Sequence, residues 1–142
     1  MIKEDVFRRG RNCLTQLHVH LIFVTKYRRG VRNEAILGDL KRIFKSVCED
    51  FECELKECNG EDDHVHLLVE YPTKVSIARL VNSLKGVSSR LIRQANHPSI
   101  RSKLWGGALW SSSYFAASCG GAPLAIIRQY IEQQRAPSSW RA

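Results

Sequence analysis

The chain has 142 residues, 44% of them hydrophobic, and a formal net charge of +8 at pH 7. This length suits one domain over residues 1–142, and the hydrophobic share excludes a disordered tail. No uninterrupted apolar run is long enough to span a bilayer, and no apolar signal region follows the charged N-terminus, so we expect a cytoplasmic protein with no membrane partner.

The charges are segregated along the chain. Residues 1–32 carry eight basic and two acidic side chains. Residues 33–70 carry four basic and eleven acidic side chains, and residues 71–142 carry ten basic and one acidic. Clustered Lys and Arg favour a polyanion as partner, because they release counterions when they neutralise phosphates. A solvated basic surface without a partner is the alternative interpretation.

The predicted elements are, in chain order, a strand over 14–25, a helix over 33–51, strands over 53–58 and 64–71, a helix over 76–97, a strand over 109–117 and a helix over 123–135. The strands are β-branched or alternating runs bounded by turn residues. The helix over 76–97 has one apolar and one basic face. The basic face comprises Arg79, Asn82, Arg90 and Arg93.

The first six elements follow the split βαβ order of ferredoxin-like folds. This order predicts an α+β domain, in which an antiparallel sheet carries two helices on one face. A basic arm over 1–12 precedes the sheet. A flexible joint at Gly120-Gly121 leads to a C-terminal helix over 122–136, which carries Tyr130.

Five cysteines are scattered through the chain, at Cys13, Cys48, Cys53, Cys58 and Cys119. An odd, dispersed set in a chain with enough core to fold unaided predicts reduced thiols, buried as small hydrophobes. A structural zinc ion, held by Cys53, Cys58, His64 and His66, is an alternative. The C-x4-C-x5-H-x-H spacing, however, lacks the usual intervals of zinc sites.

Two identical HVHL strings, at 18–21 and 64–67, each contain histidines at i and i+2. On a strand such a pair points to one face and can bind one metal ion. The second copy follows Asp62-Asp63 at a turn, where a phosphate can approach. Packed or surface histidines are the alternative explanation for either pair.

The last helix contains Tyr130 and, one turn later on the same face, Gln134. A tyrosine can attack phosphorus once a metal draws charge from the phosphate, and a glutamine oxygen can complete the shell of a hard cation. A half-buried tyrosine that only packs beside Ile126 and Ile127 is the alternative.

Five strings occur in order along the chain: His20 with the following LIFVTKYR, then DHVHLLV, LKGVSSR, LWSSSYFAAS and RQYIEQQ. In this number and order they resemble the small single-tyrosine HUH transposases of bacterial insertion sequences, the TnpA type. HUH denotes histidine, hydrophobic residue, histidine. The resemblance extends over nearly the whole chain.

The resemblance implies a DNA transposase that cleaves and rejoins single-stranded DNA at insertion-sequence ends. It implies that His64, His66 and Gln134 hold a divalent ion, Mg²⁺ or Mn²⁺. Tyr130 is then the nucleophile that forms a 5′-phosphotyrosine, and the copy with His18 and His20 is not the HUH pair. A single-strand nickase of the replication or relaxase type would share these residues, and the sequence separates it poorly from a transposase.

The resemblance also implies single-stranded DNA with hairpin ends as substrate, and a homodimer in which one subunit's last helix can complete the other's site. The candidates for contacts to the DNA backbone are Arg8, Arg9, Arg11, Arg79, Lys85, Arg90 and Arg93. Tyr27, Trp105 and Trp110 are candidates for base stacking, with core packing as the alternative. A non-catalytic single-stranded nucleic-acid-binding module, such as an RNA-recognition domain, would present an aromatic RNP1-like string, which is absent.

Overall fold

The structure is a computed structural model that describes residues 7–26, 34–61, 63–95, 109–118 and 129–133. Its elements are the strands β1 (Arg8–Arg9), β2 (Leu14–Thr15) and β3 (His18–Val24), the helix α1 (Glu34–Asp50), the strands β4 (Glu54–Gly60) and β5 (His64–Glu70), the helix α2 (Ile77–Ala95) and the strand β6 (Phe115–Ser118). Residues 129–133 are helical. The predictions for Tyr27, Trp105, Cys119, Gly120-Gly121 and Gln134 fall outside the described residues.

Four strands form one sheet in the order β4-β5-β3-β6, and each neighbouring pair is antiparallel. When these four strands alone are numbered in chain order, their order across the sheet is 2-3-1-4, which is the ferredoxin-like arrangement. The predicted α+β class is therefore confirmed. The longest register joins β3 to β5, from His18 opposite Glu70 to Val24 opposite His64.

Alternate residues of the two central strands point to opposite faces of the sheet. The face that α1 and α2 cover carries the buried side chains Val19, Leu21, Phe23, Val65, Leu67 and Val69. The helices contribute to this core chiefly through Ile36, Leu40, Phe44, Val47, Leu80, Val81, Leu84 and Ile92. Both helices therefore lie on one side, as predicted. Of the helices that the structure describes, none has the length and apolar character to cross a membrane.

The first strand is shorter than predicted. Leu14–Thr15 pairs with Arg8–Arg9 in a separate two-stranded sheet, so only His18–Val24 joins the main sheet. The guanidinium of Arg8 donates two hydrogen bonds to the carboxylate of Glu70, at 2.7 and 2.5 Å, and ties this small sheet to the end of β5. Part of the predicted N-terminal arm is thus a strand anchored by an ion pair, which local composition does not reveal.

The fourth strand is shorter as well. Only Phe115–Ser118 pairs continuously with β3, while Trp110 forms an isolated bridge with Thr25. The chain leaves the register between these two places because Ser111 to Tyr114 spans more residues than the facing segment of β3. The indole of Trp110 is buried in the core and donates a hydrogen bond to the Ser88 hydroxyl at 2.8 Å. The packing interpretation of Trp110 is therefore confirmed.

β4 continues into the residues that the sequence predicted as a turn. Gly60 pairs with Val65 and lies directly beneath α1. A Cβ atom at this position would lie 2.9 Å from the Cδ1 atom of Leu37, so the end of that side chain would have to shift to accommodate it. The strand therefore passes close to α1 at Gly60, and the turn to β5 begins only after it.

The prediction of buried, reduced thiols is confirmed for three of the four cysteines that the structure describes, and it is wrong about the burial of Cys13. Cys48, Cys53 and Cys58 are buried free thiols at the junction of α1 and β4, whereas Cys13 is an exposed free thiol. Burial raises the pKa of the Cys48 thiol to about 12 and the pKa values of Cys53 and Cys58 to about 11. The three buried thiols therefore have very little reactive thiolate at neutral pH.

We expect iodoacetamide at about pH 8 to modify Cys13 in the folded protein and to spare Cys48, Cys53 and Cys58, because alkylation needs an accessible thiolate. Peptide mass spectrometry after a short pulse measures the modified fraction at each position. Denatured protein, in which all four should react, is the control. Equal labelling rates for Cys48 and Cys13 in the folded protein would contradict the burial described above.

Candidate active site

β5 presents His64 and His66 on the sheet face opposite to the one that α1 and α2 cover. Val65, between them, points into the core, and both imidazoles are half-buried. Across the sheet His64 lies opposite Val24 and His66 opposite Ile22. The i and i+2 geometry predicted for a metal-binding pair is therefore present, with a buried aliphatic floor beside it.

His64 is oriented by the residue that precedes it. Its Nδ1 atom lies 2.9 Å from Oδ1 of Asp63, and both side chains are largely shielded from solvent. The carbonyl of Asp63 accepts hydrogen bonds from the backbone N–H and the hydroxyl of Thr25, at 2.9 and 3.1 Å. These contacts hold the turn against β3 and leave Nε2 of His64 available for a ligand.

His66 contacts a histidine of the other HVHL string. Its Nε2 atom lies 2.8 Å from Nδ1 of His20, and the two rings are parallel within 7°. Burial lowers the pKa of His66, and the adjacent His20 imidazole lowers it further. The neutral ring, which is the form that binds metals, is therefore favoured. The sequence did not indicate this contact, because it depends on the register of strands that are distant in the chain.

Two imidazoles on one face fit part of a divalent metal site. Within the described ranges, no three His, Cys, Asp or Glu side chains lie close enough together to hold a metal ion. The predicted third ligand, Gln134, lies outside those ranges. The zinc alternative does not fit, because Cys58 pairs with Leu67 on the core face of the sheet whereas His66 points to the opposite face.

Tyr130 packs on the same sheet face as the two histidines. Its ring centroid lies 5.6 Å from that of Phe115, and its hydroxyl lies 3.0 Å from Oγ of Ser113. Phe115 lies opposite Ile22, and Ile22 lies opposite His66, so these side chains form one row across β6, β3 and β5. Two strand spacings, roughly 10 Å, separate the ends of the row.

Lys85 supports the segment that contacts Tyr130. Its half-buried ammonium donates hydrogen bonds to the carbonyls of Ser111 and Ser113, at 2.6 and 3.0 Å. Burial lowers the pKa of this lysine. Two of its three N–H donors are therefore used within the chain. A contact between Lys85 and DNA stays a prediction. Ser113, which contacts Tyr130, is a site residue that the sequence analysis did not identify.

The other candidate DNA-binding residues differ in exposure. The guanidinium of Arg8 is paired with Glu70, which raises the pKa of Arg8 through the hydrogen bond between them. The exposed candidates are Arg9, Arg11, Arg79, Arg90 and Arg93. The last three lie on the solvent side of α2, where the sequence predicted a basic face. Their contact with DNA stays a prediction.

Comparison with known proteins gives one consistent result. A family model described as "Transposase IS200 like" matches residues 13–134. The chain is 35% identical over 127 residues to the ISDra2 transposase TnpA of Deinococcus radiodurans, covering 89% of this chain and 90% of that protein. It is 29% identical over 119 residues to the transposase for insertion sequence element IS200 of Salmonella typhimurium, covering 81% and 74%.

Solved structures are similar as well. A crystal structure from Deinococcus radiodurans R1, described as that of a transposase, matches with a TM-score of 0.80 and 34% identity, covering 92% of this chain and 99% of that one. A REP-associated tyrosine transposase bound to a REP hairpin matches with a TM-score of 0.54 and 10% identity, covering 88% and 68%. At that identity the second likeness shows a shared fold alone.

Lys85→Met and Arg90→Met form a matched pair, because each removes one positive charge from α2. We expect Lys85→Met to lower the free energy of unfolding by about 1–3 kcal/mol, since two carbonyls lose a charged donor. Arg90→Met should stay within about 0.5 kcal/mol of the wild type. Arg90→Met should instead reduce the steepness with which the logarithm of the affinity for single-stranded DNA falls with the logarithm of the salt concentration, by about 0.7.

Urea denaturation measures the stability of each variant, and binding at several salt concentrations measures the slope. An unchanged slope in Arg90→Met would mean that this side chain makes no phosphate contact. An unchanged unfolding free energy in Lys85→Met would contradict the supporting role of its ammonium.

Proposed function

This chain belongs to the family of IS200-like transposases, and we propose that it cleaves and rejoins single-stranded DNA at insertion-sequence ends through a 5′-phosphotyrosine intermediate. The observation that carries the proposal is the sheet face shared by His64, His66 and Tyr130. A nucleophile and a pair of metal-binding imidazoles on one face are the parts that metal-assisted phosphoryl transfer needs.

Tyr130 supplies the nucleophile in this proposal. Its phenolic oxygen attacks the scissile phosphorus after losing its proton, and the bond from phosphorus to the 3′ oxygen breaks. The fragment that ends in the 3′ oxygen takes up a proton, in exchange for the one lost by the phenol, and leaves with a free 3′-OH, whereas the other fragment stays linked to Tyr130 through its 5′ phosphate. Because the new bond is still a phosphodiester, a different 3′-OH can reverse the step without an energy source. The hydrogen bond to Ser113 orients the phenol before attack.

His64, His66 and Gln134 are the residues that would hold a divalent ion, Mg²⁺ or Mn²⁺. When bound, the ion would polarise the scissile phosphate and orient it for in-line attack. Asp63 contacts Nδ1 of His64 and so leaves Nε2 of that ring to face the ion, and burial lowers the pKa of His66, which favours its neutral, metal-binding form.

The substrate in this proposal is single-stranded DNA with hairpin ends. The exposed guanidinium groups of Arg79, Arg90 and Arg93 form a basic face along α2 that suits a phosphate backbone. Arg9 and Arg11 add exposed charges beside the small sheet that Arg8 ties to β5. The hairpin form of the substrate is supported by a protein of similar fold, a REP-associated tyrosine transposase that is bound to a REP hairpin.

We further propose a homodimer in which the helix with Tyr130 can serve the metal site of either subunit. Tyr130 and the two histidines come from parts of the chain that are separated by Gly120-Gly121, which the sequence predicts to be a flexible joint. Two adjacent glycines allow the backbone angles that such a repositioning of the last helix would need.

We expect Tyr130→Phe to bind hairpin DNA as the wild type does and to form no covalent adduct, because only the attacking hydroxyl is removed. Denaturing gel electrophoresis of labelled single-stranded DNA with Mg²⁺ detects the adduct. Tyr114→Phe, which removes the hydroxyl of a partly exposed tyrosine nearby, is the matched control and should retain adduct formation. Adduct formation by Tyr130→Phe would assign the nucleophile to another residue.

Co-expression of His66→Ala and Tyr130→Phe tests whether active sites are shared between subunits. A mixed dimer with exchanged helices has one intact site, whereas each variant alone has none. Random pairing makes about half of the dimers mixed, so roughly a quarter of wild-type cleavage is expected. Separate tags on the two variants measure the mixed dimers. An inactive mixture that demonstrably contains them would mean that Tyr130 serves its own subunit.

A further inference from the structure

His20 and His66 are joined directly through their ring nitrogens. Nδ1 of His20 lies 2.8 Å from Nε2 of His66, and the parallel rings have centroids 5.0 Å apart. They are diagonal neighbours on one face, since His20 lies opposite Leu68 and His66 lies opposite Ile22. Both rings are half-buried, so the contact is partly shielded from competing water.

A hydrogen bond between two neutral imidazoles couples their tautomers, because each ring has one N–H donor and one lone-pair acceptor. If His20 donated, His66 would carry its own proton on Nδ1 and would have no lone pair left for a metal. If His66 donates from Nε2, its Nδ1 lone pair is free. Only the second arrangement leaves His66 able to act as a ligand.

The neighbouring ligand candidate is held in an equivalent way. Nδ1 of His64 lies 2.9 Å from a carboxylate oxygen of Asp63, which can only accept, so Nδ1 carries the N–H of this contact and Nε2 is the nitrogen left to face a ligand. Histidines that bind metals commonly have their second nitrogen held by such a partner, which determines tautomer and ring orientation. His20 contacts one ring nitrogen of His66, just as Asp63 contacts one ring nitrogen of His64.

We propose that His20 is a positioning residue of the active site, which accepts a hydrogen bond from Nε2–H of His66 and holds His66 in the tautomer whose Nδ1 can bind the divalent ion. The ion itself rests on the proposed function, whereas the coupling of the two rings rests on the contact described above. This gives the first HVHL string a role other than a second metal pair. His18, which lies opposite Glu70, has no part in it.

Three full-length variants separate the hydrogen bond from the packing. His20→Phe keeps an aromatic ring of similar shape but removes the acceptor. His20→Gln restores an acceptor oxygen without the ring. His18→Phe, on the same strand and the same face, is the matched control. A thermal melt followed by circular dichroism compares the folding of all three with that of the wild type.

Mn²⁺ binding is measured without DNA at one fixed pH, by calorimetry and by electron paramagnetic resonance of the free ion. We expect His20→Phe to weaken binding about 10–100-fold, which is typical when the partner of a metal-bound histidine is removed. His20→Gln should recover most of that loss, and His18→Phe should bind as the wild type does. Long-range proton–nitrogen NMR spectra of the metal-free wild type should show His66 protonated at Nε2.

Two results would overturn the role of His20. One is unchanged Mn²⁺ affinity in His20→Phe when the wild type binds the ion. The other is protonation of His66 at Nδ1 in the metal-free wild type, which needs no variant and therefore holds even if His20→Phe does not fold. Absence of Mn²⁺ binding in the wild type would instead refute the proposed metal site and, with it, the role of His20 towards the ion.

Discussion

Seven residue pairs hold β3 against β5 in antiparallel register, and side chains along each strand alternate between the two faces. The pairing therefore determines both faces at once. On one face it brings together Leu21, Leu67 and Val69, which are fully buried. The burial of each such side chain contributes about 1.5–3 kcal/mol to the free energy of folding. A slip by one residue would expose that row and bury His64 and His66. The burial that stabilises the fold is thus also what directs the imidazoles outward.

The remaining elements complete the site because of where they attach to this pair of strands. α1 and α2 both cover one face, so the opposite face is left for His64, His66 and Tyr130. β6 pairs with the free edge of β3 and extends the row of side chains from His66 through Ile22 to Phe115, on which Tyr130 packs. The break in pairing before β6 frees Ser113 to contact the Tyr130 hydroxyl, and Lys85 holds that segment from α2.

Positive charges in this protein serve two different purposes. Arg8 donates hydrogen bonds to Glu70, and Lys85 donates hydrogen bonds to backbone carbonyls. Both residues therefore stabilise the arrangement around the sheet. Arg90 and Arg93 lie in solvent on α2 and keep their charge available to a polyanion. Net charge describes both groups alike, because it counts side chains without regard to their partners.

Much of this protein was readable from local patterns. The amphipathic stripe predicted α2, alternation and turn residues predicted β5, and the His-x-His spacing placed two imidazoles on one face, because each depends only on neighbours in the chain. Tertiary structure decided what depends on pairing between distant segments. It separated Leu14–Thr15 from β3, buried Trp110, paired Arg8 with Glu70 and brought His20 to His66. Strand register and close packing create these contacts, and no local pattern specifies a register between strands that lie far apart in the chain.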